Sequence, residues 1–206
     1  MFVYLGHKSV LEILRRVSAA KLMKRNRMHV DRLPACPPDA RELLSGSLST
    51  LPKPIDVLVS SETYRRFSKD LVYHINSGDF PYGSFMAISN DLAVSSPELL
   101  FVQLASKLSL VELVAIGYEL CGSYRLDKTC DPQLGFRIDD PLTNVAMLRS
   151  YVEKANGMKG VKNASAALRH IADRSASPME TALAMLLSLL QAWRIRLTDA
   201  SHECSD

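Results

Sequence analysis

Side chains capable of chemistry are thinly spread along this chain, and their spacing excludes more than it selects. Cys36, Cys121, Cys130 and Cys204 stand 85, 9 and 74 positions apart. With no CxxC pair and no histidine at finger spacing, neither a zinc site nor a disulfide framework is expected. Cys121 sits in an apolar helical stretch and reads as core, and reduced thiols fit a cytoplasmic protein. His7, His29, His74, His170 and His202 are scattered, so no metal ligand set is assigned. No Gly-x-Ser-x-Gly elbow occurs, and Ser60, Ser61, Ser95 and Ser96 read as strand-end and helix-cap hydroxyls. None of the ten lysines has Asp or Glu two positions before it, so the D/E-x-K half of a common nuclease motif is absent from this sequence.

Two groups of cations remain. Residues 1–41 hold nine Lys or Arg against three acids, a balance of +6, which leaves −3 for the other 165 residues within a total of +3. Arg15, Arg16, Lys21, Lys24, Arg25 and Arg27 are therefore the candidate nucleic-acid contacts, a sequence-independent hold on phosphates. The run has no aromatic residue between Tyr4 and Tyr64 for base stacking, and a solvated basic face is the alternative. The second group is Lys159 and Lys162 in GMKGVK, placed beside a helix start where they would hold an anion or simply face water.

These residues need elements to position them. SVLEILRRVSAA predicts a helix from Ser9 to about Ala20, with Ser9 and Glu12 as a capping box. Pro34, Pro37 and Pro38 form a linker before a short helix from Asp39 to Gly46. The period then changes: IDVLV (Ile55–Val59), LVYHI (Leu71–Ile75), SFMAI and LAVSS read as short strands. Helices follow from Ser96-Pro97-Glu98, from Leu110 to about Tyr124, from Pro141 to about Ala155, over Asn163–Asp173, and from Ser177-Pro178-Met179-Glu180 to about Trp193. The predicted fold class is α+β: a small antiparallel or mixed sheet of three to four short strands over about 54–94, packed by a mainly helical second half over about 96–193. The expected regions are a basic helical arm and linker over 1–46, a sheet with helices over 47–125, a helical segment over 126–197, and a frayed tail over 198–206.

A 206-residue chain with 47% hydrophobic residues can bury about two thirds of its unfolded surface without disulfide or metal support. No apolar run approaches the roughly 20 residues of a membrane span, because Ala164–Leu197 is interrupted by charge, and the opening MFVYL is too short for a secretory signal.

GHKSVLEIL (Gly6–Leu14), AVSSPELLFVQLASKLSLVELVAIGYELCGSY (Ala93–Tyr124) and GVKNASAALRHIADRSASPMETALAMLL (Gly160–Leu187), in that order, resemble one bacterial family. Its members join an AbiEi-type antitoxin-like region of toxin–antitoxin systems to a C-terminal endonuclease domain related to very-short-patch repair enzymes. The resemblance implies that Ser-Pro-Met-Glu opens the first helix of the nuclease region, with Glu180 as the carried-over remnant of its acidic site. Metal-assisted cleavage needs further acids on Mg²⁺ or Mn²⁺. The 26 residues after Glu180 hold only Asp199, Glu203 and Asp206 and no lysine, so the chain is expected to be truncated within the nuclease region, with no cofactor unless a complete site is supplied elsewhere. The function this implies is a non-catalytic AbiEi-like module of bacterial defence or mobile-element origin that binds protein or nucleic acid. The alternatives are one part of a metal-dependent endonuclease, or a degenerate remnant. Without a nuclease core, the apolar face of Met185, Leu186, Leu189, Leu190 and Trp193 is expected to meet a cognate toxin or a second copy.

Overall fold

The computed structural model describes residues 3–35, 48–49, 51–61, 69–76, 78–127 and 133–202. The fold is α+β, as the sequence pattern predicts, but its sheet is larger than predicted. Six strands lie in the order β2-β5-β6-β1-β3-β4: β1 (Val3–Leu5), β2 (Arg27–Met28), β3 (Ile55–Val59), β4 (Leu71–Ile75), β5 (Phe85–Ala87) and β6 (Leu92–Ser95). The sheet is mixed: β1 runs parallel to β6, β3 parallel to β4, and the other pairs are antiparallel. The strands of this sheet that sequence periodicity missed are β1 and β2, three and two residues long, too short to show a period of two. Instead of belonging to a peripheral arm, β1 sits between β6 and β3, with Leu5 opposite both Val94 and Val57.

Helix α1 (His7–Arg16) starts three residues earlier than the Ser9 cap predicts, because Gly6 is the N-cap and the Ser9 hydroxyl is engaged elsewhere. A five-residue α2 (Ala19–Met23) follows. Pro34 is described, but the expected Asp39–Gly46 helix lies outside the described residues.

The centre of the molecule is α3 (Pro97–Ala105), whose nine residues are all buried. Ser96 caps it by accepting from the Leu99 N–H, with Pro97 in the first turn. The two polar side chains that α3 buries are tied to other segments: Glu98 accepts from Arg27 and from the Thr143 hydroxyl, and Gln103 accepts from the His7 N–H and the Ser95 hydroxyl. Around it pack α1, α4 (Leu110–Cys121, opened by a Ser109/Glu112 capping box), α5 (Val145–Lys154) and α6 (Val161–Ala167). The last two are shorter than the predicted 141–155 and 163–173 helices. Asn144 caps α5 by accepting from the Met147 N–H. A hairpin of β7 (Tyr124–Arg125) and β8 (Arg137–Ile138) follows α4.

Helix α7 (Pro178–His202) runs past the predicted end near Trp193 and into the stretch read as a frayed tail. It packs on α4 through Thr181 and Met185, which are buried, and Leu189, which is partly buried. The predicted exposed face is thereby corrected: Met185 faces the core, while Leu186 and Leu190 are exposed. One apolar core extends from Val3 to Met185.

Gly157 and Gly160 both hold left-handed backbone, at φ +89° and +101°, in the turn between α5 and α6. A Cβ on Gly160 would stand 2.3 Å from the Val102 carbonyl oxygen, whereas one on Gly157 would meet nothing within 4 Å. Gly157→Ala is expected to cost about 1 kcal/mol from backbone conformation alone. Gly160→Ala should cost about 3 kcal/mol, because the turn must also move away from α3. Urea denaturation of the two variants checks the difference.

Candidate anion-binding groove

The turn from β1 into α1 is the first part of the site. A Cβ on Gly6 would come 2.8 Å from Leu58 Cδ2 and 3.0 Å from Gln103 Oε1, so only glycine lets the chain pass this close to β3 and α3. The Gly6 N–H donates to the Asp56 carbonyl at 3.2 Å and the His7 N–H to Gln103 Oε1 at 3.1 Å. His7 itself takes φ +51°, a left-handed conformation unusual for a non-glycine residue. Such outliers persist where surrounding contacts over-determine them, and functional sites are enriched in them.

Asp56 occupies the centre. Its Oδ2 accepts from the Ser9 N–H and hydroxyl, each at 3.1 Å, and its own N–H donates to Ser9 Oγ at 2.8 Å. Its Oδ1 lies 2.6 Å from His74 Nε2. On the other edge of that ring, Nδ1 stands 3.3 Å from the Lys107 ammonium. A carboxylate only accepts and an ammonium only donates, so the Nε2–H tautomer of His74 satisfies both neighbours. His7 stacks on this ring, with centroids 3.8 Å apart and an interplanar angle of 33°.

Burial alone would raise the Asp56 pKa. The hydrogen bond and charge of His74, together with two hydrogen bonds from Ser9, outweigh that effect and hold the carboxyl below its ordinary value. His7 is pushed down to about 3, first by burial, then by the charges of His74 and Lys107, with Asp56 opposing. At neutral pH His7 is therefore an uncharged ring.

Of these residues His7, His74 and Lys107 line a cavity of about 330 Å³, together with Gln103, Asn76 and Lys159. Two neighbouring hollows, of about 410 and 740 Å³, share Met158 and Lys159 with it and add Lys162 and Lys154 respectively. Together they form a groove bordered by Lys107, Lys154, Lys159 and Lys162, with Asp79 the one acid in its lining among the described residues. In its floor His7 Nδ1 and Gln103 Nε2 are buried without a hydrogen-bond partner. Buried polar atoms without partners are uncommon in folded proteins. The arrangement supplies cations, amide donors and an oriented imidazole, which suits it to a ligand rich in acceptor oxygens.

A larger cavity of about 780 Å³ lies elsewhere, lined by Arg25, Arg27, Asp140, Asp173 and Arg174 among others. Its charges are of both signs and Arg27 is already paired with Glu98, so it lacks such a convergence.

The sequence-derived candidates are distributed unevenly relative to this groove. Lys159 and Lys162 are at it. Arg15 instead makes a two-point ion pair with Glu119, at 2.8 and 2.7 Å, and Arg27 one with Glu98, at 3.0 and 3.1 Å. Both acids are buried, so these arginines fasten the N-terminal segment to the body of the protein. Arg25 donates to the Ile88 carbonyl, Arg16 is engaged within the protein, and Lys21 and Lys24 are exposed away from the groove lining. Glu180 is a helix cap: its carboxylate accepts from the Ala176 N–H at 2.7 Å while its own N–H donates to Ser177 Oγ. Among the described residues no three His, Cys, Asp or Glu converge to hold a metal ion.

Sequence reasoning missed His7, Ser9, Asp56, His74, Gln103 and Lys107 as a group because they come from four elements and the turn after α3. One signal was present: a lone carboxylate inside the apolar run IDVLV, a position that is rarely buried unless paired.

His7 yields a pH test. Its proton affinity is ordinary in the unfolded chain and low in the fold, so the unfolded state binds the extra proton below pH 6.5 and stability falls with pH from there toward 3. Between pH 7 and 5 the wild type should lose about 2 kcal/mol more than His7→Asn, which removes the imidazole and tolerates the left-handed backbone. Thermal or urea unfolding across that range measures the gap; parallel curves for the two proteins would refute it. Comparison of this chain with protein-family models, curated proteins and solved structures finds no match.

Proposed function

We propose that this protein is a non-catalytic, AbiEi-like binding module of bacterial defence or mobile-element origin that holds the phosphate backbone of a nucleic acid in the lysine-bordered groove. The observation that carries the reading is the convergence of Lys107, Lys154, Lys159 and Lys162 on one groove where Asp79 is the one acid among the described residues. An extended polyanion matches that charge and releases its counterions on binding. The resemblance in sequence supports the biological setting, and the groove supports the chemistry. Contact with nucleic acid is assigned here to the groove and not to the N-terminal arginines, because Arg15 and Arg27 are held by buried carboxylates.

Titration with labelled single-stranded and duplex oligonucleotides at 50 and 200 mM salt tests this. Affinity should fall steeply with salt, and Lys107→Ala or Lys159→Ala should each lower the magnitude of the salt slope by about one while weakening all sequences alike. Lys21→Ala and Lys24→Ala should leave the binding unchanged. Absence of binding at 50 mM salt would refute the reading.

A further inference from the structure

The outward side of α7 carries apolar surface that the fold leaves uncovered. Met179, Leu183, Leu186, Leu187 and Leu190 are 56–79% exposed, while Thr181 and Met185 on the opposite side are buried. Leu183, Leu186 and Leu190 follow Met179 at steps of four, three and four residues, and in the sequence Trp193 and Leu197 continue with three and four. This 3–4 alternation over six positions is the seam of a coiled coil, not the broader stripe that packs a helix onto a globular core. Contiguous exposed apolar surface of this kind marks an interaction site.

We infer that α7 pairs antiparallel with α7 of a second copy of this chain. With Leu183 at an a position and Leu186 at d, an antiparallel pair in one register matches every seam position: 186 opposite 190, 183 opposite 193, and 179 opposite 197, each twice. The same register sets the flanking e positions against one another, so that Glu180 of one copy faces position 194 of the other, an arginine, at both ends, and Leu187 faces Leu187 at the centre. A parallel pair would set Ala182 against Leu187 and Leu189 against Arg194, with no opposite charges joined. Flanking charges set orientation in such pairs, and of the two self-pairings the antiparallel one joins opposite charges. Covering five exposed apolar side chains on each of two copies approaches the roughly 1,000 Å² that a specific association needs, before positions 193 and 197 are added.

Light scattering on the full chain at about 100 µM is expected to give twice the 22.9 kDa chain mass. Leu186→Gln/Leu190→Gln, which removes the two central layers, should give the monomer mass with an unchanged far-ultraviolet helix signal. Orientation is tested by charge exchange. Glu180→Lys, which sets like charges together and also removes the cap on the Ala176 N–H, should weaken the dimer at least tenfold. Glu180→Lys/Arg194→Glu, which lacks the same cap, should recover most of that loss. A monomeric wild type, or a leucine variant that stays dimeric with its helix signal intact, overturns the pairing. Failure of the double charge variant to recover overturns the antiparallel register.

Discussion

The buried carboxylate of Asp56 is the constraint around which the functional part of this protein is arranged. It cannot be left unpaired in a strand whose other residues are all apolar and buried. Its three hydrogen-bond donors come from two different segments: Ser9 from α1 contributes two, and His74 from the adjacent parallel strand contributes the third. Satisfying Asp56 therefore fixes the placement of α1 against the sheet and the rotation of the His74 ring. His74 in turn provides the surface on which His7 stacks and presents its other nitrogen to Lys107. Local backbone geometry follows the same logic, since Gly6 must pass within van der Waals contact of Leu58 and Gln103 for α1 to begin where Ser9 can reach Asp56.

The groove above this cluster is assembled by close approach. Gly160 places the α5–α6 turn directly against the Val102 carbonyl in the central helix, and this brings Lys159 to the same cavity as His7 and Lys107. A bulkier residue at that position would move the lysine-bearing turn away from the histidine floor. Packing of the core and composition of the groove are thus two consequences of one contact.

Charge is used in two ways. The arginines near the N-terminus form two-point ion pairs with Glu119 and Glu98, acids that α4 and α3 would otherwise bury unpaired, and Thr143 adds a further hydrogen bond to Glu98. Removing one partner from such a pair leaves a buried charge exposed to the low-dielectric interior, which makes these arginines structural. The lysines of the groove are flexible and exposed, so their ammonium groups remain available to an anion.

Helix and strand placement was largely legible in the sequence, because Ser96-Pro97-Glu98, Ser109 with Glu112, and the apolar runs at 55–59 and 71–75 carry local signals that tertiary packing did not override. The α+β class followed from those signals. Strands β1 and β2 were not legible: two or three residues show no period, and β1 is a strand only because β6 and β3 lie on either side of it. The excess of basic residues before position 42 was equally plain, but not its use, since a sequence does not show which arginines will find buried acids 71 and 104 residues away. The histidine–aspartate cluster and its junction with Lys107 and Lys154 belong wholly to the tertiary structure, whereas Lys159 and Lys162 stood out in the sequence as an anion-binding pair. Hydrogen-bond demand at one buried carboxylate and a glycine-sized gap between helices bring together residues whose spacing along the chain, from 7 to 162, holds no pattern.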